Sequence, residues 1–336
     1  MAPLLEWESD DVLAAVFARV PLLSQGALRA TCRRARDVLR AASFRRARVA
    51  LGCAEAALVV AGGVARRRAT AACWRVVGGR CDAIAPMATA RAFACAGVVG
   101  GELVVAGGSA GGDALASAEA YDPSIDAWRP LRPMREGRQG AACGVVAGSL
   151  VVAGGGDLRS GPLASAEAWR DGAWRPLPPM PFPAWSAAAA VVGGVLYVAG
   201  GVTSAKLQAW DGASWTVLRD LPEPRNGAAA AELDGALLVM GGRTRGTRAA
   251  WSSTLRYDPR TDAWAAAPPL PRAGPRGSAA PPPRVHAWCA AASHAGAVVL
   301  CGDQSTLYLR GGAWEAPRDP HPPDVARACL GSLMLG

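Results

Sequence analysis

The sequence predicts a mainly β protein: short four-stranded sheets arranged as a six-bladed β-propeller, behind a small α-helical module at the N-terminus. Three observations carry this. A double glycine closing a β-like apolar run recurs along most of the chain, an aromatic and a second anchor five to seven residues later follow each copy, and only residues before about 45 show helical periodicity.

The glycine pairs stand at Leu58-Val-Val-Ala-Gly62-Gly63, Leu103 to Gly107-Gly108, Leu150 to Gly154-Gly155, Leu196 to Gly200-Gly201 and Leu237 to Gly241-Gly242. A sixth copy, Val298 to Gly302-Asp303, keeps the first glycine alone. The first glycines are spaced 45, 47, 46, 41 and 61 residues apart. After each comes an aromatic and then a second anchor: Trp74 and Cys81, Tyr121 and Trp128, Trp169 and Trp174, Trp210 and Trp215, Tyr257 and Trp264, Tyr308 and Trp314. Turn formers such as Asp122-Pro123, Asp171-Gly172, Asp211-Gly212 and Asp258-Pro259 lie between, so each interval reads as a hairpin. Met87, Met134, Met180, Leu221 and Leu270 follow the second anchor by six residues and end the unit. Each unit then holds four strands, and a lone four-stranded sheet of this size cannot bury both faces. Copies must pack face to face around an axis.

The recurring Gly-Gly, the Tyr-Asp-Pro at Tyr121–Pro123 and Tyr257–Pro259, and the later Trp resemble the Kelch family over residues 46 to 316. That resemblance implies a Kelch β-propeller over 46–336, with a Pro-rich loop near 268–283 and a C-terminal tail, 324–336, as a candidate closing strand. Cys81 in the Trp slot and Asp303 in the second glycine slot depart from the pattern in the first and last units, where the ring must close.

Residues 9–44 have another period. Leu13, Val16, Phe17 and Val20 follow the capping candidates Ser9 and Asp10 at helical spacing, and Pro21 stops the helix. Leu28, Cys32, Ala35, Leu39 and Ala42 continue a helical stripe. Asp10-Asp11-Val12-Leu13, Arg19-Val20-Pro21, Leu28, Cys32-Arg33-Arg34 and Phe44-Arg45-Arg46 resemble an F-box, a module spanning 1–45. The resemblance implies docking on the Skp-type adaptor of a cullin-RING ubiquitin ligase through Leu13, Val16, Val20, Pro21, Leu28 and Cys32. The chain then reads as the substrate-recognition subunit of an SCF-type E3 ligase, or alternatively as a Kelch scaffold without ligase function.

Composition narrows the remaining classes. The chain has 36 basic and 27 acidic residues, but its arginine clusters lack the interleaved aromatics of a nucleic-acid platform. Nine scattered cysteines, none spaced C-x-x-C, and three histidines suggest neither a zinc site nor a disulfide framework. No signal peptide is apparent, and the uncharged stretch 182–205 breaks at two glycine pairs into two strands rather than a membrane span. No catalytic set, cofactor or metal site stands out; the expectation is a non-catalytic receptor in a reducing compartment, cytoplasmic and/or nuclear.

Counting sixteen residues back from each first glycine gives one more column: Arg46, Arg91, Arg138, Ala184, Arg225 and His286. Five of these six are basic and share one end of the sheets. They are the expected client-binding residues, gripping an acidic or phosphorylated protein segment through bidentate guanidinium groups. The competing expectation is that each arginine caps a strand or pairs with a neighbouring sheet.

Overall fold

The computed structural model describes residues 33–40, 55–65, 68–77, 80–157, 159, 161–244, 246, 251–271, 290–294, 297–301, 306–310, 313–315 and 329–335. They form six four-stranded antiparallel sheets, two short two-stranded ribbons and one helix, Arg33–Arg40. Of the 1–45 module only this helix is described, with Val38 buried in it. Leu13, Val16, Val20, Pro21, Leu28 and Cys32 lie outside the described residues.

Five sheets are self-contained, built from consecutive strands in order along the chain, rather than the six expected. Sheet 2 runs Cys95–Val99, Glu102–Ala106, Ala118–Asp122, Ala127–Leu131. Sheet 3 runs Ala142–Val146, Ser149–Ala153, Ala166–Arg170, Ala173–Leu177. Sheet 4 runs Ala188–Val192, Val195–Ala199, Leu207–Trp210, Trp215–Leu218; its first two strands are those expected within 182–205. Sheets 5 and 6 begin at Ala229–Leu233 and Ala290–His294. Sheet 1 is composite. Its strands Glu55–Ala61, Cys73–Val77 and Arg80–Ile84 are completed by the C-terminal strand Cys329–Leu335, in antiparallel register from Glu55–Leu335 to Ala61–Cys329. The first and last described strands therefore meet in one sheet, which is how the ring closes.

The first strands of the sheets contact one another in a closed cycle, with Cys329–Leu335 lying between those of sheets 6 and 2. These six strands line the axis of a propeller. Side chains between them must be small: a Cβ on Gly97 would lie 2.8 Å from Leu150 and Val145 side chains, and one on Gly144 would lie 2.4 Å from Val191. Much of the alanine in the sequence answers this crowding, as at Ala142, Ala188 and Ala229 to Ala231, all buried. The second strands, such as Leu103-Val104-Val105-Ala106, are buried on both faces, hence their unbroken apolar runs.

Register corrects the anchor pairs of the two closing sheets. Tyr121 pairs with Leu103 and Trp128. The corresponding residue of sheet 1 is Val76, paired with Leu58 and Cys81, so Trp74 lies two positions earlier. In sheet 6 it is Leu309, paired with Val298 and Trp314, not Tyr308. Among the described residues no helix is long and apolar enough to cross a membrane.

Candidate binding face

In each sheet the first strand begins where the second ends and the third begins, for example Cys95 opposite Ala106 and Ala106 opposite Ala118. The connections between sheets and the loops after the glycine pairs thus share one end of the propeller. The arginine column lies there, and its chemistry follows from what the glycines do.

The N–H of the second glycine donates to the next sheet: Gly63 to Arg91 O at 2.7 Å, Gly108 to Arg138 O at 2.7 Å, Gly155 to Ala184 O at 2.8 Å, Gly201 to Arg225 O at 2.9 Å. That approach leaves no room at the first glycine, where a Cβ on Gly62, Gly107, Gly154 or Gly200 would meet the same carbonyl at 2.3 to 2.6 Å. Two residues beyond the column, Phe93, Gly140, Ser186 and Gly227 all adopt left-handed backbone, with φ of 56° to 66°. They are joined by a second run of backbone bonds from sheet 2 to sheet 5: Gly140 N–H to Phe93 O, Ser186 N–H to Gly140 O, Gly227 N–H to Ser186 O, at 2.8 to 2.9 Å.

The arginine side chains complete the seam. Arg91, Arg138 and Arg225 are 0 to 1 % exposed. Arg91 Nη1 donates to Gly107 O and Ser117 O at 2.9 and 2.8 Å, and Nη2 donates to Glu119 at 3.0 Å. Glu119 in turn accepts the amides of Ala88 and Thr89, which fixes the connection leading to Arg91. Arg138 repeats the set with Gly154 O, Ser165 O and Glu167, and adds Glu136. Arg225 bonds Gly241 O and Ser253 O, and takes Glu223 as its carboxylate. Burial pulls the Arg225 guanidinium below the usual arginine range, and Glu223 opposes that shift.

These three arginines do not form the expected open ring for a client carboxylate. Their Nη donors point into the propeller and are taken by its own carbonyls and carboxylates, the strand-capping arrangement that the sequence also allowed. Arg46 and His286 lie outside the described residues.

What this end presents to solvent is different. Phe182 is exposed beneath Lys206, whose ammonium lies 5.0 Å from the ring centroid and 2.8 Å from Asp220. Trp251 is exposed beside the Arg225 guanidinium, 5.7 Å from its ring. Trp185 is half-buried between them in chain order, and Arg68 and Thr203 are exposed. Arg159 and Asp113 form an exposed pair at 3.5 Å between the loops of sheets 2 and 3. In the loops after the glycine pairs, Ser109 is buried, and Arg66, Arg67, Arg245 and Asp303 lie outside the described residues. Sequence reading missed Phe182, Lys206 and Trp251, which lie in connections and loops of variable length where no repeated position marks them. Among the described residues no three His, Cys, Asp or Glu side chains are grouped to hold a metal ion.

The Kelch motif matches at residues 90–135 and 224–271, which are sheet 2 and sheet 5 with the connections leading into them; no F-box domain is found. No curated protein matches the chain. Among solved structures it is similar to one described as the structure of YjhT, with a TM-score of 0.59 and 14 % identity, covering 76 % of this chain and 92 % of that one. At that identity the likeness concerns fold alone. With the cyclic seam above, these matches make the chain a mainly β protein carrying Kelch motifs on a β-propeller.

Proposed function

We propose that the chain is a protein-interaction propeller that holds a client on the end bearing Phe182, Lys206 and Trp251, and that its F-box-like segment joins it to a Skp-type adaptor as the substrate-recognition subunit of an SCF-type ubiquitin ligase. The observation that carries the client-binding part is the exposure of two large aromatics beside cations at one end of the propeller. Aromatic and guanidinium groups are the usual anchors of protein interfaces. The ligand this favours is a protein segment with acidic groups for Lys206, Arg68 and Arg159. What supports the ligase part is the N-terminal resemblance, from Asp10-Asp11-Val12-Leu13 to Phe44-Arg45-Arg46. In that role the chain positions a client and other subunits transfer ubiquitin.

Two experiments test the reading separately. Co-purification with a Skp-type adaptor, compared with Leu13→Asp/Val16→Asp, is expected to be lost in the double variant. If the intact chain never retains adaptor, the ligase part fails and the scaffold reading stands. Quantitative affinity purification compares Phe182→Ala/Trp251→Ala with the parent; specific partners should fall at least tenfold with the thermal midpoint nearly unchanged. An unaltered partner set would refute the proposed face.

A further inference from the structure

Cys95 and Cys143 stand on the first strands of sheets 2 and 3, which are adjacent around the axis. Both belong to the apolar layer between those sheets, Cys95 buried and Cys143 half-buried at its edge. Each thiol reaches across the seam to the other's strand: Cys95 Sγ–H donates to Ala141 O at 3.4 Å, and Cys143 Sγ–H donates to Ala96 O at 3.7 Å. Each sulfur therefore lies against backbone within two residues of the other cysteine.

We infer that Cys95 and Cys143 form a two-thiol site that consumes a hydroperoxide and closes to a disulfide joining sheets 2 and 3. The step balances without a metal or cofactor. Cys143 as thiolate attacks the distal oxygen of ROOH, the O–O bond breaks, and ROH leaves with the proton released from the thiol; Cys143 is oxidised to the sulfenic acid and the peroxide is reduced. The Cys95 thiol then attacks the sulfenic sulfur, the S–S bond forms, and the hydroxyl leaves with the Cys95 proton as water.

The order of roles follows from placement. Cys143 is the more accessible of the two, and the neighbouring Cys95 thiol holds it below the ordinary thiol range against the opposing effect of burial. Thiolate character and access together govern peroxide reactivity. Cys73 is the internal contrast: it is buried between sheets 1 and 2, and burial pushes its thiol up to about 11. Cys81 is raised as well, by burial and then by Asp82.

The test is peptide mapping of the reduced full-length protein after brief exposure to a small excess of hydrogen peroxide, quenching and alkylation. The expected product is a cross-linked Cys95–Cys143 peptide pair lighter by two hydrogens, formed at least tenfold faster than any adduct at Cys73. In Cys95→Ser, Cys143 should instead accumulate a sulfenic acid trapped by dimedone. Cys95→Ala serves if the serine variant unfolds, with near-ultraviolet circular dichroism as the check on either. The inference is overturned if Cys95 and Cys143 stay as alkylatable as Cys73 in treated parent protein, or if either sulfur is found paired with a different cysteine.

Discussion

Arg91 and Glu119 form an ion pair 3.0 Å apart with side chains 0 % and 5 % exposed, and sheet 4 fills the equivalent positions with Ala184 and Gln208. In sheet 4 the two columns change together. Where the arginine is absent the carboxylate becomes an amide, which receives the Phe182 amide and donates to the Phe182 carbonyl. Where the carboxylate slot is Leu255, Arg225 takes Glu223 from its own connection. A buried charge left alone costs several kcal/mol, and this cost is what the repeats avoid. Arg91→Ala is therefore expected to destabilise the protein by about 3 to 5 kcal/mol, because Glu119 loses its cation inside the seam. Adding Glu119→Gln, the sheet 4 solution, should restore about 2 kcal/mol of that loss. Chemical denaturation of both variants measures this; equal losses in single and double variants would contradict a paired role.

The first glycines give a sharper contrast. Gly107 has φ of +68° and a Cβ there would lie 2.5 Å from Arg138 O, whereas Gly148 has φ of +73° and meets nothing within 4 Å. Both substitutions to Ala bear the left-handed backbone cost of about 1 to 2 kcal/mol. Gly107→Ala must also push sheet 3 away and should lose about 3 kcal/mol or more in total, from the added overpacking. Thermal unfolding of the pair separates backbone strain from the seam, since only Gly107 touches the neighbouring sheet.

Much of this seam was legible as spacing. The glycine pairs, the Met and Leu column and the Trp slot recur in register because each sheet makes the same demand on its neighbour. The direction of the arginine side chains was not legible. An offset from a glycine gives the end of the sheet but not whether a guanidinium turns outward or inward. The signal that decides it was present, though: Glu119, Glu167 and Gln208 each stand two residues before an aromatic anchor, in step with Arg91, Arg138 and Ala184. Trp74 and Tyr308 were misplaced because loops of variable length separate the glycines from the third strand, and only pairing register locates Val76 and Leu309. The composite sheet could be suspected from the apolar tail, but pairing across nearly the whole chain has no local signature.

Trp264 and Asp262 show why the late Trp recurs. Trp264 Nε1–H donates to Arg219 O at 3.0 Å while Asp262 accepts the Arg219 amide at 3.0 Å, so one residue of the preceding connection is held at both backbone groups. Trp128 and Asp126 do the same at Ala85. Trp264→Phe keeps an aromatic ring tilted against Tyr257, whose centroid is 5.1 Å away, and removes the indole donor together with part of the half-buried ring. The expected loss is at least about 1 kcal/mol, the net value of one such bond, with the lost ring area adding to it. A loss near zero in urea denaturation would mean that packing alone positions the hairpin.

The same hairpin sets a pH dependence at both ends of the scale. Tyr257 O–H donates to Asp262 at 2.7 Å. This bond, followed by the Arg219 amide, holds the Asp262 carboxyl below its ordinary value. A carboxyl depressed in the folded state contributes stability that is present above its unfolded value near 4 and lost as pH falls through the folded one. Burial, then the Asp262 bond, raises the Tyr257 phenol in the folded state. A raised phenol contributes stability that is fully present below its unfolded value near 10 and lost as pH climbs above that. Tyr257→Phe should therefore flatten the alkaline limb of the stability curve above about pH 10 and weaken the acid limb below about pH 4, whereas Asp262→Asn should act chiefly on the acid limb. Thermal midpoints from pH 3 to 11 check this. An alkaline limb unchanged in Tyr257→Phe would assign that loss of stability to other tyrosines, with Tyr197, whose phenol burial also raises, the next to test.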